Sequence, residues 1–276
     1  MSEGFTGRGQ TGSRMRVRVG FDARNSLDGF EREVRRVAEP ICSEGSFVGG
    51  KIVTEMPVSE ISEAVMAGNI FVLKGLFSAV ADELVALRRA VFEWGQKTEP
   101  MAEPDAQANC HCMQAGVSRL QKTPHVYHSY NFNRISRLPP ELSAQLFKYF
   151  APLCEFQNTL TGNSARLEGF EDGATLHPQV IQYPLGGGIF GRHRHPLVPQ
   201  KIGLIVSLSA RGLDYSAGGA CFETADGVVN LEPYHELGDM ALFRFDIPHW
   251  VNPSTLQDNF DWDSEAGRWT MVLPYY

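Results

Sequence analysis

The sequence predicts a mainly β domain of the α+β class, with helices from the N-terminal half packed outside a sandwich or barrel. Three observations carry that expectation. From about residue 176 onward, short apolar or β-branched runs follow one another, each bounded by Gly, Pro, Asn or Asp. Before that point, apolar residues recur at spacings of three and four, the stripe of a helix with one buried face. The 276 residues, 43% apolar and 21% charged, supply enough core for one large β domain with helical additions.

The first 20 residues hold four arginines (Arg8, Arg14, Arg16, Arg18) against one acid, Glu3. A transit peptide would show an amphipathic period, and glycines interrupt any such period here. Residues 1–25 therefore read as a flexible tail and 26–276 as a single domain, with a helix-rich part, 26–175, and a β core, 176–276. A short helix around Phe30, Val34 and Val37 is expected to close before Pro40. A longer one carries Phe77, Val80, Leu84, Leu87, Val91 and Trp94 on one face. Ser78 is placed to cap it, Asp82 and Glu83 stand in its first turn, and Gly95 lies near its end. A third helix follows Pro139-Pro140 with Leu142, Leu146 and Phe150 aligned, and Pro152 is expected to end or bend it. The core strands are expected at 178–183, 201–208, 219–224, 228–231, 240–245 and 269–273.

Composition excludes some functions. A formal charge of −7 lacks the basic footprint that non-specific nucleic-acid binding needs. No apolar run approaches the ~20 residues of a membrane span. The five cysteines are an odd number without framework spacing, which fits reduced thiols in the cytoplasm. Cys110-His111-Cys112 looks like a ligand cluster, but no second Cys/His pair stands at a zinc-site spacing. Gly186 to Gly188 is followed by no Gly-Lys-Ser/Thr, and no serine occupies a Gly-x-Ser-x-Gly elbow.

The chemistry concentrates in Gly191-Arg192-His193-Arg194-His195-Pro196 and in Ile247-Pro248-His249-Trp250-Val251. Histidines at i and i+2 on an extended segment share a face, and Pro196 keeps the preceding residue extended. His249, from a distant strand, completes a three-point metal site with open positions. Arg268 lies on an otherwise apolar strand, where a carboxylate held bidentately is a fitting partner. Trp250 and the phenylalanines Phe243 and Phe245 are placed to shield such a metal, and Trp250 is a candidate substrate contact as well. The aromatic and amide-rich run from Thr123 to Asn133 reads either as a β edge packed on the core or as a pocket wall, with His128 and Tyr130 as candidate substrate contacts.

Taken in order, Tyr183, the glycine turn at Gly186 to Gly188, His193-Arg194-His195, Gly218-Gly219, Gly238-Asp239, His249 and Arg268-Trp269-Thr270 resemble the iron(II)- and 2-oxoglutarate-dependent dioxygenases. The resemblance covers about residues 176 to 276 and implies a double-stranded β-helix, the cupin-like jelly roll. It implies His193 and His249 as iron ligands, and Arg268 with Thr270 and Tyr183 as the grip on 2-oxoglutarate. The implied reaction uses O₂ and decarboxylates 2-oxoglutarate to hydroxylate, desaturate or cyclise a small organic substrate.

The chain departs from that pattern at His195, where the family carries Asp or Glu. Three readings stay open at this point. His193, His195 and His249 form a three-histidine iron centre; or a carboxylate comes from elsewhere, Asp246 or Glu223; or the fold has lost its metal and binds ligands only. Beside the 2-oxoglutarate-dependent oxygenase stand two alternatives: a three-histidine iron dioxygenase that needs no 2-oxoglutarate, and a non-catalytic jelly roll that binds a small ligand.

Overall fold

The computed structural model describes residues 37–117, 123–168, 175–255 and 261–275. The N-terminal tail, with Phe30 and Val34 of the expected short helix, lies outside the described residues.

Eight strands form the heart of the fold: β7 (Gln179–Pro184), β8 (Ile189–His193), β9 (Ile202–Ser207), β10 (Gly219–Thr224), β11 (Gly227–Asn230), β12 (Met240–Arg244), β13 (His249–Asn252) and β14 (Gly267–Val272). All their pairings are antiparallel. One layer runs β7-β14-β9-β12 and the other β8-β13-β10-β11. Successive strands therefore cross from layer to layer, interrupted only by the β10–β11 hairpin. That crossing is the double-stranded β-helix, or jelly roll, expected from the resemblance.

Six strands precede this core: β1 (Val37–Ala38), β2 (Ile41–Val48), β3 (Lys51–Thr54), β4 (Phe71–Lys74), β5 (Asn109–Val117) and β6 (Pro124–Phe132). β4, β2 and β3 extend the large layer beyond β12, while β6 and β5 extend it beyond β7. The first residues of β6 also pair with β8, through His125 opposite Phe190, and so tie the two layers at one corner.

The layers are held by two apolar cores on opposite sides of the large sheet. Between the layers, Val72, Ala241 and Phe243 meet Ala220, Phe222 and Val229. On the outer face, Val180, Leu204, Val206, Leu242, Trp269 and Met271 receive the helices. These are α1 (Val58–Met66), α2 (Ala81–Gln96) and α3 (Pro140–Thr161). Leu84, Leu87 and Val91 of α2 and Leu146, Phe150 and Leu153 of α3 are fully buried. Each such side chain contributes about 1.5–3 kcal/mol of burial, which is what holds the helices on the sheet.

Several expectations are corrected. Val37 lies in β1, paired in parallel with β11, so the short helix does not reach it. Ser78 does not cap α2: its hydroxyl donates to the Gly75 carbonyl, and a single 3₁₀ turn (Ser78–Val80) leads into the helix. Pro152 does not end α3, which runs on to Thr161 and closes at Gly162 in the left-handed conformation. The part expected to be helix-rich carries six strands, β1 to β6, beside its three helices. β2 to β5 went unread because β3 and β4 span only four residues each, while β2 and β5 are rich in Cys, Ser, Gly and polar residues and lack the apolar, β-branched run by which a strand is recognised. Among the described residues, no helix is long and apolar enough to cross a membrane.

Candidate metal centre and cavity

β8 and β13 are neighbours in the smaller layer, and His193 stands directly opposite His249. Between this pair and the next, Phe190 opposite Val251, β8 carries one residue more than β13. A bulge of this kind bends the strand and re-aims its side chains. Phe190 and His193, three residues apart, would face opposite ways on a regular strand, yet both line the same cavity. Gly191 lies inside the bulge, where β6 comes so near that a Cβ would stand 2.8 Å from the Pro124 carbonyl oxygen.

Beyond the bulge the alternation is regular. Arg192 and Arg194 are exposed, while His193 and His195 turn inward. The His195 amide bonds the Phe245 carbonyl, and its imidazole stacks on the Phe245 ring at 4.4 Å and 11°. One ring nitrogen from each of His193, His195 and His249 lies within 4.8 Å of the others. The elements thus deliver all three histidines to one point: β8 gives the first, its extension the second, and β13 the third.

Hydrogen bonds orient two of them. His193 Nδ1 donates to the Gly191 carbonyl and His249 Nδ1 to the Ile247 carbonyl, each at 2.8 Å. An imidazole that donates from Nδ1 keeps its lone pair on Nε2, the tautomer a metal needs. Burial pushes the imidazoles below their ordinary range, His193 to about 2 and His249 to about 4, and each feels its neighbouring histidines as well. His195 is lowered by burial too. The cluster is a set of neutral nitrogen donors, suited to a divalent first-row metal.

Neither candidate carboxylate joins them. Asp246 is bonded to Arg244 Nε at 2.6 Å, and Glu223 to Arg192 at 2.8–2.9 Å. Glu223 follows Phe222, whose register partner is His249, so strand alternation turns Glu223 to the other face. Among the described residues, the three histidines are the group able to hold a metal ion. Cys110 and Cys112 share a face of β5 with His111 on the other, and they form no such group.

Arg268 is buried at the start of β14, opposite Tyr183 of β7. Its guanidinium lies 5.8 Å from the centre of the Tyr183 ring, and its charge and that of Glu232 both act on the nearby Tyr215 phenol. Burial pushes both phenols up to about 12, so they remain protonated. Among the described residues, no carboxylate comes within 4.0 Å of Arg268 to form an ion pair. Thr270 is buried two residues on, opposite Ile181 and Ser207.

A cavity of about 420 Å³ opens between the layers beside the histidines. Tyr183 lines it, while Arg268 and Thr270 do not reach its surface. Trp250 lines it as well, with Phe243 and Phe245, whose rings flank His249 and His195. On β6, however, Tyr127, Ser129 and Asn131 face the cavity. His128 and Tyr130 face the other way, under α2. There the Tyr130 hydroxyl donates to His128 Nδ1, His128 Nε2 donates to His111 Nδ1 at 2.7 Å, and His111 Nε2 donates to the Thr98 carbonyl. Gln179, Phe190 and Gln200 are further cavity residues that sequence reasoning did not single out.

No family model matches the sequence, and no curated protein matches it. Solved structures do. A prolyl hydroxylase from Trichoplax adhaerens, in complex with a hypoxia inducible factor oxygen degradation domain peptide fragment, gives a TM-score of 0.50 at 15% identity, over 79% of this chain and 90% of that one. A Pseudomonas putida prolyl-4-hydroxylase gives 0.49 at 14% identity, over 79% and 97%. An oxidoreductase of the 2OG-Fe(II) oxygenase family from Burkholderia pseudomallei gives 0.45 at 12%, over 86% and 95%. At these identities the likeness concerns architecture, and this chain shares the jelly-roll fold of the Trichoplax enzyme.

Proposed function

We propose that this protein is a non-haem iron(II)- and 2-oxoglutarate-dependent oxygenase acting on a small organic substrate. The observation that carries the reading is the convergence of His193, His195 and His249 at the wall of one cavity, with Nδ1 of two of them tied to carbonyls. These three would hold the iron. When bound, iron with 2-oxoglutarate supplies O₂ activation for hydroxylation, desaturation or ring formation.

The chain's own residues do the rest. The stacked Phe245 and the neighbouring Phe243 hold the imidazoles in place and limit water around them. Three neutral ligands leave a divalent ion with its full charge, one unit more than a set containing a carboxylate, which favours an anionic ligand at the open positions. Arg268, buried and without a carboxylate within ion-pair distance among the described residues, is the residue suited to the far carboxylate of 2-oxoglutarate, with Thr270 and Tyr183 beside it. Trp250 is the member of the candidate substrate contacts that lines the cavity. The five free thiols support a reducing compartment, the cytoplasm, as the place of work.

A second reading is favoured by two observations: no carboxylate among the described residues joins the cluster, and Arg268 stops short of the cavity surface. In it the three histidines hold iron in a dioxygenase that binds its substrate directly. Anaerobic reconstitution with iron(II), followed by O₂ uptake with and without 2-oxoglutarate, separates the readings. The first expects about one iron per chain and 2-oxoglutarate consumption even without substrate. Uptake that ignores 2-oxoglutarate selects the second. Negligible bound iron removes both and leaves a ligand-binding jelly roll.

A further inference from the structure

We infer that the cavity is built for an uncharged substrate: a flat ring system bearing a carbonyl, amide or hydroxyl group on one edge. This names the substrate class of the proposed oxygenase and rests on that reading for what happens to the ligand, though not for its binding.

Size comes first. A volume of about 420 Å³ lies at the small end of ligand sites and suits a molecule of one or two rings rather than a folded peptide segment. Charge comes next. Apart from the three histidines, no acidic or basic side chain lines the cavity among the described residues. An unpaired carboxylate or ammonium in such surroundings loses its hydration without gaining a partner. Arg268 does not reach the cavity surface.

The walls are unequal. Ser129, Asn131 and Gln179 form a polar strip on β6 and β7, with Asn131 and Gln179 as register partners. The Asn131 amide already donates to Ser129 Oγ at 3.3 Å, so the strip is internally braced. The layer that carries the histidines presents aromatic rings instead, Phe190 and Trp250, and Phe243 and Phe245 join them from the strand end beside it. Aromatic surfaces favour offset or edge contact with a planar partner. Hydroxyl and amide groups can donate to and accept from one polar edge. A ring with one polar edge satisfies both walls, whereas a charged substrate finds no partner outside the metal position and Arg268, which the proposed function gives to 2-oxoglutarate.

The test uses the full chain, stripped of metal, titrated calorimetrically with 2-naphthamide, 2-naphthoate and 2-naphthylmethylammonium. The neutral amide is expected to bind at least tenfold more tightly than either ion. Asn131→Leu should cost the amide at least fivefold and leave naphthalene itself within twofold. Gln179→Leu, at a half-buried position, repeats that comparison if Asn131→Leu fails to fold. A preference below tenfold for the amide, or equal losses for amide and naphthalene, overturns the inference. Because iron and 2-oxoglutarate are absent from the titration, the two failures stay distinct. A chain that prefers the amide but consumes no O₂ loses the oxygenase reading and keeps this one. Turnover confined to charged substrates does the reverse.

Discussion

His193 and His249 face each other across β8 and β13, and each donates its Nδ1 proton to the carbonyl two residues before it, Gly191 and Ile247, at the same 2.8 Å. The two bonds aim both Nε2 lone pairs into one space. Replacing either residue by Ala should lower iron(II) affinity by at least about 100-fold, more than the loss of an outer-shell partner costs. His195→Asp, in contrast, should retain iron while weakening an anionic ligand several-fold, because the ion then keeps one unit less charge. Metal analysis and titration of the metal-loaded protein with 2-oxoglutarate check both outcomes; tighter anion binding by His195→Asp would contradict the charge argument.

Gly203 supports the same site from the large layer. A Cβ there would stand 2.5 Å from Phe243 Cζ and 2.9 Å from Phe245 Cδ2. Those rings touch His249 and His195. Gly203→Ala should therefore cost about 1–3 kcal/mol in stability, the usual range for overpacking, and reduce iron affinity as well. Denaturant midpoints and iron content measured together test this, and unchanged iron binding in a destabilised variant would uncouple the rings from the metal.

Arg268 gives a prediction of opposite character. Arg268→Ala should leave iron content unchanged and weaken 2-oxoglutarate by about 10- to 100-fold, the worth of a hydrogen bond to a charged group. Arg268→Lys should recover only part of that loss, since an ammonium lacks the planar fork. Calorimetry on manganese-loaded protein reads this directly. Equal affinity in the wild type and Arg268→Ala removes Arg268 from the co-substrate site.

Three buried histidines away from the metal set an acid limit on stability. Burial lowers His128 to about 3, His177 to about 4 and His235 to about 4. In the unfolded chain each takes up a proton near pH 6.5, while the folded protein refuses it until much lower pH. The unfolded state then binds more protons, so their stabilising effect is complete above pH 6.5 and declines as the pH falls through the window down to about 4. Each contributes about 1.4 kcal/mol per pH unit in that window. The urea midpoint of metal-free protein should drop steeply between pH 6.5 and 4.5, and His128→Phe should flatten the slope by roughly one third of these histidines' share. A flat midpoint over that range contradicts the assignment.

Much of the core was legible because its strands are short, apolar and punctuated. The expected run 219–224 coincides with β10, and the others match β7, β9, β11, β12 and β14 to within a residue or two at each end. The histidine spacing was legible for the same reason: alternation on an extended segment needs no tertiary information. β6 marks where reading stopped. Its alternation was visible, but Tyr127, Ser129 and Asn131 turn to a cavity while His128 and Tyr130 turn to a helix, and both faces are screened from water. When both sides of a strand are covered, hydrophobic pattern no longer tells inside from outside. Of the two outcomes expected at Pro152, an end or a bend, the end does not occur. The burial of Leu153, Phe156 and Leu160 beyond it outweighs one missing hydrogen bond.

The extra residue of β8 between Phe190 and His193 has a consequence for how the centre is inherited. On a regular strand the cavity side is reached two residues after Phe190, and on the bulged one three residues after it, so a chain that dropped Arg192 together with the bulge would still turn both imidazoles inward. The bulge and the count between Phe190 and His193 are therefore inherited as a pair, and an aligned histidine pair speaks for this centre only when the two agree.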